Sequence, residues 1–161
     1  MITTVEGCTL AGLYATDEVP ASRILVRNKA GTYATLLRVV VPVTAGDVLD
    51  VSARARVTND TSPGYTIGFG YHLWQYDVDN GLGSSGEWTR ISTWCGDNVP
   101  RDRHHMPLLT DTVYTVPDDW PAGHRIVVVL RGDAHSTRAD GQYLTVDQGY
   151  GHLTVRRYTP A

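Results

Sequence analysis

From Val48 to Val57 the chain alternates strictly, with Leu49, Val51, Ala53, Ala55 and Val57 separated by Asp50, Ser52, Arg54 and Arg56. A period of two predicts a β-strand with one buried and one wet face. The stretch from Tyr65 to Tyr76 has the same period. It places Tyr65, Ile67, Phe69, Tyr71, Leu73 and Gln75 on one face and Thr66, Gly68, Gly70, His72, Trp74 and Tyr76 on the other. Gly68 and Gly70 share a face, which predicts a bend or the close approach of a neighbouring backbone. Tyr33 to Val43 is dense in Val and Leu, as in a strand packed on both faces or at an oligomer contact. Pro42 marks the end or the edge of that strand, because proline cannot donate to a ladder.

The remaining elements are shorter. Ile2 to Thr9 reads as a strand ending near Gly7 and Leu10 to Tyr14 as another, followed by a loop over Asp17 to Ser22. Ile24-Leu25-Val26 is a brief apolar run closed by the turn residues Asn28-Lys29-Ala30-Gly31. Asp77 to Glu87, rich in Gly and Ser, reads as a hairpin loop. Trp88 to Cys95 reads as one strand with Ile91, Thr93 and Cys95 on one face, and Gly96 to Asp102 as a further loop. From His104 to Tyr158, β-branched and aromatic runs are cut by Asp-Asp, Pro-Ala-Gly, Ala-Asp-Gly and Gly-Tyr-Gly, predicting about four more antiparallel strands. Nothing has helical periodicity, and no repeat or linker divides the chain. The expectation is one all-β domain over residues 1–161, with nine or ten strands. Alternating strands at this length form a sandwich or a barrel, and loops of such uneven length favour an antiparallel β-sandwich of jelly-roll type over a meander.

Composition narrows the functional classes. At 161 residues, 42% hydrophobic and 19% charged, the chain can bury a core without disulfide or metal staples. A net charge of -3 argues against nucleic acid as a partner, since phosphates call for a basic stripe. No apolar run has membrane-spanning length, and Met1-Ile2-Thr3-Thr4 does not open like an export signal, so synthesis in a cytoplasm and no membrane partner are expected. Cys8 and Cys95 are too few for a disulfide framework and read as two separate buried thiols. Lys29 is the sole lysine against thirteen arginines, which reflects a GC-rich coding sequence and not a binding function.

Catalytic chemistry finds little support. The six histidines are scattered, and His104 and His105, being adjacent, would face opposite sides of a strand and could not share an ion. Asp77-Val78-Asp79-Asn80-Gly81 begins like a calcium loop, but Gly81 stands at the third ligand position and Trp88 at the twelfth. No Gly-x-Ser-x-Gly is present, and the fourteen aspartates fall mostly in turns, where their side chains cap the backbone. The expectation is a protein that is not an enzyme and has no cofactor or metal. Of the four tryptophans, Trp74 and Trp88, together with Tyr76, are ligand-binding candidates for a host surface glycan; the competing reading makes them core or interface anchors.

One resemblance rests on Gly96-Asp97-Asn98-Val99, Arg103-His104-His105, Thr112 to Pro117, Val127 to Leu130 and the run Leu144 to Val155, with its strand, Gly-Tyr-Gly, strand ending. Over roughly the last 65 residues this pattern resembles small jelly-roll virion structural proteins of tailed phages with high-GC hosts. They are similar in architecture to tumour-necrosis-factor/C1q-like trimers and are used as head fibres, capsid decoration proteins and tail adhesins. The resemblance implies a homotrimer located in the virion. Without collagen-like repeats or a heptad stalk, a decoration protein on the capsid surface, bound to the major capsid protein, is expected ahead of a fibre tip or an adhesin. Chain ends can add a strand to a partner sheet, so Ile2, Thr3, Thr4 and Val5, with the nearby run Ile24, Leu25 and Val26, are the capsid-contact candidates.

Overall fold

A computed structural model describes residues 7–18, 23–61, 64–80 and 88–161. Among them are eleven strands and no helix: β1 (Cys8–Thr16), β2 (Arg23–Arg27), β3 (Ala34–Pro42), β4 (Val48–Asn59), β5 (Ile67–Asp77), β6 (Thr89–Arg90), β7 (Cys95–Val99), β8 (Arg103–Thr115), β9 (Arg125–His135), β10 (Tyr143–Val146) and β11 (His152–Pro160). They form two antiparallel layers. Sheet I has the order β1–β11–β4–β8, and sheet II has the order β3–β9–β5, with β6 and β7 both pairing with β5. Every link from β3 to β4, β4 to β5, β7 to β8, β8 to β9 and β9 to β11 crosses between layers. This is a jelly roll. β10 and β2 stitch the layers together at one end: β10 pairs with β4 and with β2, and β2 runs parallel to β9 at Val26 and Arg27.

The alternation in β4 places Leu49, Val51, Ala53, Ala55 and Val57 in the core, opposite Ile67, Phe69 and Leu73 of β5 and Ile126, Val128 and Leu130 of β9. Pro42 closes β3 at the edge of sheet II. The open side of the sandwich, between β8 and β5, is tied by side chains. Tyr71 Oη donates to the Leu109 carbonyl at 3.3 Å, Gln75 Nε2 donates to Tyr114 Oη at 3.2 Å, and Thr112 Oγ1 donates to the Ile91 carbonyl at 2.8 Å. Burial raises the Tyr71 and Tyr114 hydroxyls above their usual pKa, so both remain neutral hydrogen-bonding groups.

Several boundaries differ from the sequence expectation. Ile2–Glu6 lie outside the described residues, and Leu10 to Tyr14 belongs to a β1 that starts at Cys8. The predicted strand Trp88 to Cys95 is split. The Ile91 and Ser92 amides both point at the Leu73 carbonyl, and Ser92 Oγ accepts from the Leu73 N–H at 2.8 Å, so a hydroxyl replaces a ladder partner and the strand breaks there. Pairing resumes as β7, which turns most of the predicted Gly96 to Asp102 loop into strand. The runs from His104 and from Thr112 are one strand, β8. Its start carries a bulge where His105 adopts a left-handed φ of 55°. That bulge cancels the opposite-face rule: the His104 and His105 rings lie 6.2 Å apart, both exposed, with His105 Nδ1 2.9 Å from Asp147 Oδ2. Cys8 and Cys95 are free thiols, as expected, but half-buried instead of buried.

Candidate functional site

The outward face of β5 is largely covered by other side chains. Tyr33, just before β3, packs against His72 at 5.7 Å and Trp74 at 5.4 Å between ring centroids. Arg131 of β9 lays its guanidinium over three rings, 5.4 Å from Tyr33, 5.4 Å from Trp74 and 4.3 Å from Trp88. Trp88 in turn meets Tyr76 at 4.3 Å. The three aromatic candidates named from sequence are therefore brought together, and the structure adds Tyr33 and Arg131, which sequence reasoning missed. Beneath this stack Val127 and Val129 are fully buried although they lie on the outer face of sheet II.

The stack is electrostatically unusual. His72 is 1% exposed and neither ring nitrogen has a hydrogen-bond partner; Trp74 Nε1 and Arg131 Nε are likewise buried without one. Burial lowers the His72 pKa, the Arg90 charge lowers it further, and Asp133 partly opposes both. Burial also lowers the Arg131 pKa, and among the described residues its guanidinium has no carboxylate partner, only the ring faces.

Beside the stack lies a groove of about 950 Å³. Val129 lies buried beneath it, Tyr76 and Trp88 border it from the β5 side, and Thr35 and Arg38 of β3 border it from the other. Asp17 and Glu18, which follow β1, and Gln148 in the β10–β11 turn complete it. Nothing in the sequence joins these positions; the crossover between layers does.

The other candidates resolve differently. Ile2, Thr3, Thr4 and Val5 lie outside the described residues. Ile24 and Val26 are 1% and 0% exposed and Leu25 is half-buried, because β2 is engaged by β10 over Arg23–Leu25 and by β9 at Val26 and Arg27. Ile24 and Val26 therefore belong to the core, and Leu25 is the one residue of that run with a partly exposed side chain. Trp94 is 63% exposed and rests over Gly70 and Gly96, while the His135 ring rests over Gly68; the groups that crowd the paired glycines Gly68 and Gly70 are side chains and not the neighbouring backbone expected from sequence. Trp120 packs on the core and donates to the His124 carbonyl at 3.3 Å. Asp77 and Asp79 serve the fold. Asp77 Oδ2 is 2.7 Å from His124 Nδ1, and hydrogen bonds from the Arg125 side chain hold the Asp79 pKa at about 2. Among the described residues no group of three His, Cys, Asp or Glu side chains is placed to hold a metal ion.

A second surface is apolar. On the outer face of sheet I, Leu13, Leu109 and Val113 are 64%, 65% and 67% exposed. The register aligns Leu13, Arg156, Asp50 and Val113 across four strands, with Leu109 beside Arg54.

No protein-family model and no curated protein matches the chain. Solved structures do. The chain is similar to a protein of the infectious bursal disease virus T13 particle, with 12% identity and a TM-score of 0.51. It is also similar to a protein of the T=1 particles derived from that virus, with 11% identity and a TM-score of 0.52. In both, 92% of this chain is matched to 32% of the other, so it spans about a third of their length. The structure of Eiger TNF from S. frugiperda gives a TM-score of 0.43 at 12% identity, over 77% of this chain and 66% of that one. At these identities the likeness is one of fold, and the fold shared with the virus-particle proteins is the jelly roll.

Proposed function

We propose that the chain is a non-enzymatic virion structural protein, a jelly roll that assembles as a homotrimer on the outside of a tailed-phage capsid and reinforces it by binding the major capsid protein. The observation that carries this reading is the two-layer jelly roll, whose fold is similar to that of virus-particle proteins over 92% of the chain. The exposed Leu13, Leu109 and Val113 support self-association, since three large apolar side chains on one sheet face gain free energy when a copy covers them. For the shell contact, residues 2–5 remain the candidates: they lead into β1, which among the described residues has β11 as its one ladder partner and its other edge unpaired. The protein is then made in the host cytoplasm and ends on the virion surface.

Light scattering on a sizing column reads the first half of the proposal: a trimer is expected, and Leu109→Asp with Val113→Asp should return it to monomers without loss of fold. Co-sedimentation with purified shells reads the second. Deleting residues 2–6 leaves β1 whole and should abolish binding. A monomer at high concentration that also fails to bind shells would overturn the reading.

A further inference from the structure

The groove beside the aromatic stack, between sheet II, the end of β1 and the β10–β11 turn, combines features that together select one ligand chemistry. Tyr76 and Trp88 border it with aromatic surface. Around them stand planar, delocalised polar groups: the Asp17 and Glu18 carboxylates, the Arg38 guanidinium and the Gln148 carboxamide, with the hydroxyl of Thr35 beside them. Among the described residues none of the three charged side chains takes part in an ion pair, whereas Arg125, Arg156 and Arg157 each hold a carboxylate. Their hydrogen-bonding capacity is unspent.

Two acids against one base disfavour a polyanion such as nucleic acid, and three unpaired charges disfavour a purely apolar ligand. A neutral ring with an apolar C–H face and vicinal hydroxyls satisfies every group. Its hydroxyls donate in pairs to the carboxylates and accept in pairs from the guanidinium, while its apolar face lies on the aromatic border. The aromatic border is also held in place before any ligand arrives. The Arg131 guanidinium lies 4.3 Å from the Trp88 ring centre and Tyr76 lies 4.3 Å from it, so little side-chain freedom remains to be lost on binding.

We propose that this groove is a binding site for a neutral saccharide, read by Tyr76 and Trp88 through their rings and by Arg38, Asp17 and Glu18 through hydroxyl pairs. The site lies where sheet II meets the end of β1 and the β10–β11 turn, and the proposal does not depend on shell docking.

The test is tryptophan fluorescence with calorimetry on the whole chain, using hexamers of glucose, mannose, galactose and N-acetylglucosamine, with oligogalacturonate as the acidic control. At least one neutral hexamer should bind and perturb the fluorescence, with oligogalacturonate weaker. Because Trp88→Ala could disturb the stack, the deciding variants are Arg38→Ala and Glu18→Gln at exposed positions. Each should keep the wild-type melting temperature and weaken binding about tenfold or more, the usual loss when a hydrogen bond to a charged group is removed. The proposal is overturned if no neutral hexamer binds at about 10 mM, a concentration well above that needed to detect millimolar affinity. It is equally overturned if only the acidic oligomer binds, or if both variants bind as the wild type does.

Discussion

Arg157 should be worth several times more to stability than its neighbour Arg156, although both hold a carboxylate across the same pair of strands. Asp47 sits in the turn between β3 and β4 with its side chain 0% exposed. Its Oδ2 accepts from the Thr44 N–H at 2.7 Å and from Arg157 Nε at 2.7 Å, while Oδ1 is buried with no partner. The turn is tied in further by the Val116 N–H donating to the Asp47 carbonyl and the Gly46 N–H donating to the Val116 carbonyl. Arg157→Met would leave a buried carboxylate facing one N–H and no counter-charge. Breaking a buried pair costs about 3–5 kcal/mol, and because Arg157 is itself 19% exposed, water can reach part of the gap and about 3 kcal/mol is expected. For a chain of this size that lowers the melting temperature by about 6–12 °C. Arg156 and Asp50, at 3.3 Å and each 38% exposed, form a solvated pair, so Arg156→Met should cost about 0.5 kcal/mol or less. Asp47→Asn keeps an acceptor for Thr44 and frees Arg157 towards solvent, so it should cost less than Arg157→Met. The double variant should fall short of the sum by about 1–3 kcal/mol, as expected for groups in direct contact. Calorimetric melts of the four variants measure all of this. Equal shifts for Arg157→Met and Arg156→Met, or strict additivity with Asp47→Asn, would refute the reasoning.

Two further outcomes follow from the same structure. A Cβ on Gly96 would lie 2.8 Å from the Phe69 carbonyl oxygen and 2.4 Å from the Trp94 ring; the exposed ring can move but the strand backbone cannot, so Gly96→Ala should cost about 1–3 kcal/mol in a thermal melt, and an unchanged melt would mean that β7 is not held as described. His72 has a lowered pKa, so below about pH 6.5 the unfolded chain takes up a proton that the folded chain resists, and stability falls with pH until the folded value is passed. His72→Phe should remove that sensitivity and gain on the wild type between pH 7 and 5, whereas parallel curves of melting temperature against pH would show that His72 is not desolvated.

Strand identity was legible in the residues wherever one face is wet and the other dry. The alternation from Leu49 to Val57 is reproduced side chain by side chain, because a period of two leaves a strand no other way to hide its apolar set. Legibility failed where a side chain substitutes for backbone, as Ser92 does opposite Leu73, and where one left-handed residue, His105, resets the faces of a strand. Neither leaves a periodic trace.

The site followed the same division. Trp74, Tyr76 and Trp88 stood out as aromatics beside a Gly-rich loop, but Tyr33, Arg38 and Arg131 carried no local signal. Arg131 reads as the polar end of the run Ile126 to Leu130 and Tyr33 as the start of another apolar strand. Ile24 and Val26 read as an accessible short run until β10 and β9 closed around them. The sequence by itself determined an all-β chain, most of its strands and the buried face of each, because hydrophobic period is a local property of consecutive residues. The tertiary structure alone decided which strands lie side by side and so which outward-facing residues meet. In a jelly roll nearly every link changes layer, and neighbours in the site are set by long-range pairing that no local pattern encodes.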